Sequence, residues 1–93
     1  MTDDTAVRHN EAEHRYELAV DGQMAIAAYR PDGDVLAFTH TEVPEALEGQ
    51  GIASRLVKGA LEDVRARGLK IEPACAFVAA YVERHPEVRD LVV

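Results

Sequence analysis

Apolar and polar positions alternate along residues 15–20. Tyr16, Leu18 and Val20 fall on one side, Arg15 and Glu17 on the other, and a period of two is the signature of a half-buried strand. Asp21-Gly22 follows, a pair that accepts the positive φ of a tight hairpin turn. Residues 23–30 read as a second strand, with Met24, Ile26 and Ala28 on one side, and residues 31–34 (Pro-Asp-Gly-Asp) as another turn. A third strand is expected over residues 35–43, ended by Pro44, which has no N–H for a sheet ladder. The period then changes. Ile52, Leu56, Val57, Ala60, Leu61 and Val64 form one helical stripe, with Arg55, Lys58, Glu62 and Arg65 on the polar side. Arg65, Arg67 and Gly68 supply cations and a glycine where that helix should stop. A short strand over residues 69–72, closed by Pro73, precedes a second helix over residues 74–84 with Phe77, Val78, Tyr81 and Val82 as its apolar members. His85 precedes Pro86 and belongs outside regular helix.

The order strand-strand-strand-helix-strand-helix predicts an α+β fold. Three strands form an antiparallel meander, and the third strand, long helix and fourth strand form a βαβ unit with parallel outer strands, giving a mixed sheet. At 93 residues there is room for one core, assigned to residues 15–93, with residues 1–14 expected to be a flexible acidic N-terminus. Cys75 is the single cysteine, so no internal disulfide is possible. Residues 1–13 lack the basic-then-apolar pattern of a secretory signal, and no apolar run approaches the roughly 20 residues of a membrane span. A cytoplasmic protein with no membrane association is expected.

Charge sharpens the picture by its placement. The net charge is −7, and residues 1–50 hold 11 acidic and 3 basic side chains against 6 and 7 in residues 51–93. An acidic chain lacks the basic footprint of a nucleic-acid binder. A near-neutral second half can face an anionic cofactor while the acidic half draws in a cationic amine; solvated strand faces would give the same count.

The strongest chemical signal lies between the third strand and the long helix. Gly49 and Gly51 bracket Gln50 directly before Ile52. Glycines let backbone approach a ligand, and a helix N-terminus offers unpaired N–H groups at the positive end of its dipole, an anion site suited to a pyrophosphate. Two glycines also serve as an ordinary turn into a helix. A P-loop is excluded by the missing Gly-Lys-Ser/Thr ending.

Here the chain resembles the GNAT acetyltransferases, whose signature is Gln/Arg-x-x-Gly-x-Gly/Ala at a helix start. Gly51 and Ala53 match its last two defined positions, while Glu48 stands where Gln or Arg is usual. The segment Ala79-Ala80-Tyr81-Val82-Glu83-Arg84 resembles the family's Ala-x-x-x-Tyr-Glu-Lys segment. More narrowly, His40-Thr41-Glu42-Val43-Pro44, Pro73-Ala74-Cys75 and His85-Pro86 resemble the small YjdJ-type GNAT-like proteins, a likeness running from about Tyr16 to Leu91. The resemblance implies a truncated GNAT fold without the helices that larger members place after their first strand and without their final strand pair. It also implies acetyl-CoA as cofactor. Glu42 and Val43 would meet the pantetheine arm, and Glu48, Gly49, Gln50, Gly51, Ile52, Ala53 and Ser54 would hold the pyrophosphate.

Acyl transfer to an amine needs a base, a donor for the oxyanion and a donor for the departing thiolate. His40, near the end of the third strand, is the candidate base; a histidine hydrogen-bonded at a strand end is the plainer reading. Tyr81 matches the tyrosine that many GNAT enzymes direct at the coenzyme sulfur, and otherwise packs its helix on the sheet. Cys75, at the start of the second helix, is a candidate acetyl acceptor or an inert buried thiol. Glu42 either works with His40 or is an exposed strand residue. His9, His14 and His85 show no metal spacing with Cys75, so no metal is expected. The expected function is an N-acetyltransferase acting by direct transfer on an unidentified amine, as a monomer or a weak homodimer. The alternatives are a non-catalytic module binding acetyl-CoA or CoA, and a self-acylating or thioester-cleaving protein using Cys75.

Overall fold

The computed structural model describes residues 7–93. Its strands are β1 (Arg8–Asn10), β2 (Arg15–Val20), β3 (Gln23–Asp32), β4 (Val35–Glu42) and β5 (Lys70–Pro73), with helices α1 (Ile52–Ala66) and α2 (Ala76–Arg84). They form one sheet in the order β1-β2-β3-β4-β5, antiparallel up to β4 and parallel between β4 and β5. The expected α+β arrangement is therefore present. Asp21 (φ 51°) and Gly22 (φ 76°) make the anticipated turn between β2 and β3. Short 3-10 turns span Glu11–Glu13, Glu45–Leu47 and Pro86–Leu91.

The register sorts the sheet's two faces, because paired residues point the same way. Tyr16 pairs with Ala27, Leu18 with Ala25 and Tyr29 with Phe38, and all six are buried. Against this face α1 lays its whole predicted stripe: Ile52, Leu56, Val57, Ala60, Leu61 and Val64 are the helix's buried residues. Each of these except Ala60 contributes about 1.5–3 kcal/mol when fully buried. At the far end the N–H of Leu69 bonds the carbonyl of Val64 (3.0 Å) and that of Gly68 the carbonyl of Arg65 (3.1 Å), with Gly68 at φ 73°. This is a Schellman stop, which the left-handed glycine makes possible.

Two segments depart from the sequence reading. Residues 8–14 were expected to be flexible, yet β1 pairs with β2 through Arg8↔Glu17, His9↔Tyr16 and Asn10↔Arg15. The His9 ring stacks on Tyr16 at 4.3 Å, and its side chain is only 9% exposed. Three polar residues carry no readable alternation, and the cover over the His9 side chain comes from partners farther along the chain. Residues 1–6 of the expected flexible segment lie outside the described residues. At the other terminus Val92 bridges Ile71 in parallel, and the N–H of Val93 bonds the carbonyl of Ile71 (3.1 Å), so the outer edge of β5 is partly covered.

Val7, just before β1, explains a glycine in the middle of α1. A Cβ on Gly59 would lie 2.7 Å from the Cβ of Val7. Alanine there gains about 1 kcal/mol of helix propensity, but overpacking costs about 1–3 kcal/mol. We expect Gly59→Ala to lower the melting temperature by a few degrees, and the Gly59→Ala/Val7→Ala double variant to recover part of the loss. A rise in the single variant would show that Val7 does not pack there.

The buried end of β1 also makes stability depend on pH. His9 Nδ1 is 3.6 Å from Asp63 Oδ2, the oxygen that accepts from Tyr16 Oη (2.7 Å) and Arg67 Nε (2.6 Å). Burial, and then the Arg67 charge, push the His9 imidazole below its ordinary value; Asp63 and Glu11 oppose them. A histidine with a depressed folded value favours the folded state fully above pH 6.5 and loses that contribution as pH falls below it, because the unfolded chain then binds the proton more readily. The melting temperature is expected to drop between pH 7.5 and 5.5, and to drop less in His9→Phe. An equal slope in both proteins would contradict this.

Candidate active site

A groove opens where β5 leaves β4. The parallel pairing runs from Val35↔Lys70 to Phe38↔Pro73 and ends there. Pro73 brings no N–H to the ladder, and the N–H of Ala74 turns back to the carbonyl of Glu72 (3.0 Å), taking the chain off the sheet. Opposite this point β4 has a bulge. Tyr29 pairs with Phe38 and Ala28 with His40, leaving Thr39 as the extra residue. A bulge bends its strand and strengthens its twist. From Thr39 to Glu42, β4 runs on without a neighbour on the β5 side among the described residues.

The hollow beyond the free end of β4 is about 500 Å³ and is lined by Met24, Thr41, Glu42, Val43, Pro44, Glu48, Ala53 and Phe77. It adjoins a second hollow of about 240 Å³, which shares Val43, Glu48, Ala53 and Phe77 and adds Leu47, Gly49, Gly51, Ile52 and Ser54. The pair makes one continuous groove from strand to helix start. Gly49 (φ 83°) and Gly51 (φ 72°) take left-handed conformations, and a Cβ at either would meet nothing within 4 Å. The loop is thus an open cradle. The first α-helical bond of α1 runs from the N–H of Arg55 to the carbonyl of Gly51 (3.1 Å), so the N–H groups of Ile52, Ala53 and Ser54 precede it and lack helical acceptors. An anion fits this chemistry. The carboxylates of Glu42 and Glu48 are the opposing charges in the groove.

The bulge decides which side each β4 side chain faces. Thr41 pairs with fully buried Ala27 and faces the helices, whereas His40 pairs with Ala28 and Glu42 with Ile26, facing the other side. On the helix side Thr41 Oγ1 lies 3.3 Å from Cys75 Sγ. Cys75 is the N-cap of α2. Burial by itself would raise its thiol; the Thr41 hydroxyl and the backbone N–H groups of Val78, Phe77 and Thr41 outweigh that and hold it below its ordinary value. On the other side His40 Nε2 lies 2.7 Å from Glu42 Oε2, with both side chains more than half exposed. A carboxylate only accepts, which places the imidazole proton on Nε2 and leaves Nδ1 able to take one.

Of the residues singled out from sequence, Glu42, Val43, Glu48, Gly49, Gly51, Ile52, Ala53 and Ser54 line the groove. Ile52 is also a core residue, 2% exposed. The Gln50 side chain turns back to the carbonyl of Ala46 (3.4 Å), away from the lining. Tyr81 is not brought to this groove. It stacks on His85 at 3.9 Å and lines a separate hollow between α1 and the C-terminal turn, with Lys58, Leu61, Glu62 and Arg65. The α2 residue that does reach the groove is Phe77, one helical turn earlier. Sequence reasoning counted it as core, although it is 36% exposed. Met24, Thr41, Pro44 and Leu47 were also missed; Thr41 and Pro44 carried a signal only as neighbours of His40 and Val43.

Comparison with known proteins agrees with this geometry. The family model described as GCN5-related N-acetyl-transferase matches residues 15–91. Protein NATD1 of Mus musculus is 32% identical over 83 residues, covering 86% of this chain and 76% of the mouse protein. Protein NATD1 of Danio rerio is 30% identical over 83 residues, again covering 86% of this chain and 76% of the relative. The NMR solution structure of a GCN5-like protein from Staphylococcus aureus has a TM-score of 0.74 and 25% identity, covering 99% of this chain and 91% of that one. With that match spanning both the groove and the sheet that frames it, the chain belongs to the GCN5-related N-acetyltransferase family.

Proposed function

We propose that this protein transfers an acetyl group from acetyl-CoA to an amine at the free end of β4, as a small YjdJ-type member of the family. The observation that carries the reading is the continuous groove from the unpaired end of β4 to the left-handed glycines at the start of α1, with the His40–Glu42 pair beside it. The cradle of residues 49–54 holds the pyrophosphate through backbone N–H groups. This makes the loss of the usual Gln or Arg at Glu48 tolerable, since N–H donors and the helix dipole remain. Glu42 and Val43 lie along the path of the pantetheine arm. Acetyl-CoA supplies the activated acyl group, and the chain positions it and moves protons.

In this scheme Glu42 holds the His40 ring with Nε2–H directed at its carboxylate, and His40 Nδ1 accepts a proton from the incoming ammonium or amine. The amine nitrogen forms its bond to the acetyl carbon as the carbon–sulfur bond breaks, and the sulfur leaves as thiolate to be reprotonated. The Thr41 hydroxyl, on the helix side of β4, is the side-chain donor lining the groove next to Cys75. The test is release of free CoA thiol from acetyl-CoA with a panel of small and peptidyl amines. Amine-dependent release supports the reading, and release independent of every amine contradicts it.

One observation favours a second reading, in which Cys75 Sγ accepts the acetyl group first: the thiol is held below its ordinary value beside Thr41. Direct transfer predicts that Cys75→Ala keeps kcat within about threefold, a change under 1 kcal/mol. Transfer through the thiol predicts loss of turnover, together with loss of acetyl label on the intact protein.

A further inference from the structure

At the other end of α1 from the glycine cradle lies a hollow that acetyl transfer does not use. It measures about 490 Å³, and its walls include His9, His14, Tyr29, Leu36, Arg67 and Leu69. It shares no lining residue with the groove. The size suits a small molecule, and the wall mixes apolar surface with convergent polar groups.

Its back is a buried polar chain. The Tyr29 hydroxyl meets His9 Nε2, and His9 Nδ1 faces Asp63 at 3.6 Å with no hydrogen-bond partner. Asp63 is held by Tyr16 and Arg67. Burial moves His9 below and Tyr29 above their ordinary values. Perturbed titratable groups gathered in one cavity are a mark of functional sites.

The rim fixes the sign of the ligand. Arg67 uses only Nε on Asp63 among the described residues, which leaves both terminal nitrogens of its guanidinium without a hydrogen-bond partner. That fork matches a carboxylate. Two carboxylates bear on it, Asp63 at Nε and Glu11 on the rim, so the free fork suits a ligand with a single negative charge better than a dianion. The wall is a set of rings: Tyr29 lies 5.6 Å from His9 and 5.8 Å from His14, with Leu36 and Leu69 as apolar neighbours. Such a wall favours a flat apolar body. We propose that this hollow is a second ligand site, separate from the acetyl-CoA groove, which takes a small monocarboxylate with a flat apolar body.

The test is a nitrogen-15 amide titration of the full chain with benzoate, with benzylamine and inorganic phosphate as parallel arms. Benzoate is expected to shift the amides of Tyr29, Gly33, Arg67 and Leu69 saturably at about millimolar concentration, leaving those of residues 49–54 in place. Arg67→Gln should weaken this by about tenfold or more. Pro31→Glu, an exposed change at the rim, should also weaken it while leaving Asp63 anchored, which keeps the test valid if Arg67→Gln fails to fold. Absence of saturable shifts with benzoate would overturn the proposal, and so would an equal response to benzylamine or to phosphate, or undiminished binding in Pro31→Glu. Because the readout involves neither acetyl-CoA nor turnover, its failure leaves the transferase reading untouched, and the reverse also holds.

Discussion

Gly51→Glu is expected to weaken acetyl-CoA binding by at least about a hundredfold. Two effects act together at this position. Gly51 sits at φ 72° as the N-cap of α1, a left-handed conformation that costs an ordinary residue about 1–2 kcal/mol. The new side chain also projects into open space, since a Cβ there meets nothing within 4 Å, and that space is the mouth of the cradle. A carboxylate about 4 Å from a phosphate oxygen costs on the order of 4 kcal/mol at an effective dielectric of 20. At 1.4 kcal/mol per decade the strain alone is worth about tenfold and the charge alone several hundredfold. Gly51→Ala separates them by adding strain without charge, and should weaken binding by only about tenfold. The measurement is the affinity for acetyl-CoA in each variant, with circular dichroism confirming that α1 still forms. Retained affinity in a folded Gly51→Glu protein would remove the cradle from the account.

The second large effect concerns turnover. His40→Ala is expected to lower kcat by about 10²–10⁴-fold, the usual worth of a positioned general base. Acetyl-CoA affinity should change by less than about twofold, because His40 is not among the residues that line the groove. Glu42→Gln keeps the size of the side chain but replaces the carboxylate with an amide that can also donate. It should lower kcat less, by about tenfold, through poorer orientation of the imidazole. A packing role for His40 is already disfavoured by its side-chain exposure of 56%. If both variants turned over like the parent protein, the base would lie elsewhere.

The parts of this molecule that could be read from sequence are those governed by local period. The α1 stripe was legible to the residue because one helix presents six apolar positions to one sheet face. The hairpin at Asp21-Gly22 was legible because both residues take a positive φ there. The glycine cradle combined two left-handed positions with a following helix, so the larger part of the groove's helical wall was named in advance. What escaped depends on long-range placement. β1 is three polar residues whose stability comes from Tyr16, Asp63 and Arg67, and no local pattern announces such partners. Phe77 and Tyr81 lie four residues apart on one face of α2, so which of them reaches the groove is set by where along its axis the helix passes the free end of β4, and no local pattern defines that. The bulge at Thr39 is equally silent in the sequence. It is also what puts Thr41, rather than His40 and Glu42, on the helix side beside Cys75.

Acetyl transfer requires that the groove bind the coenzyme. The measurement that tests this most directly is isothermal titration of the purified protein with acetyl-CoA and, separately, with CoA. Saturable binding of both at about micromolar affinity is predicted, since the pyrophosphate cradle is common to the two ligands. No heat of binding with either ligand, from protein shown to be folded, would contradict it and would leave residues 49–53 as a turn into a helix.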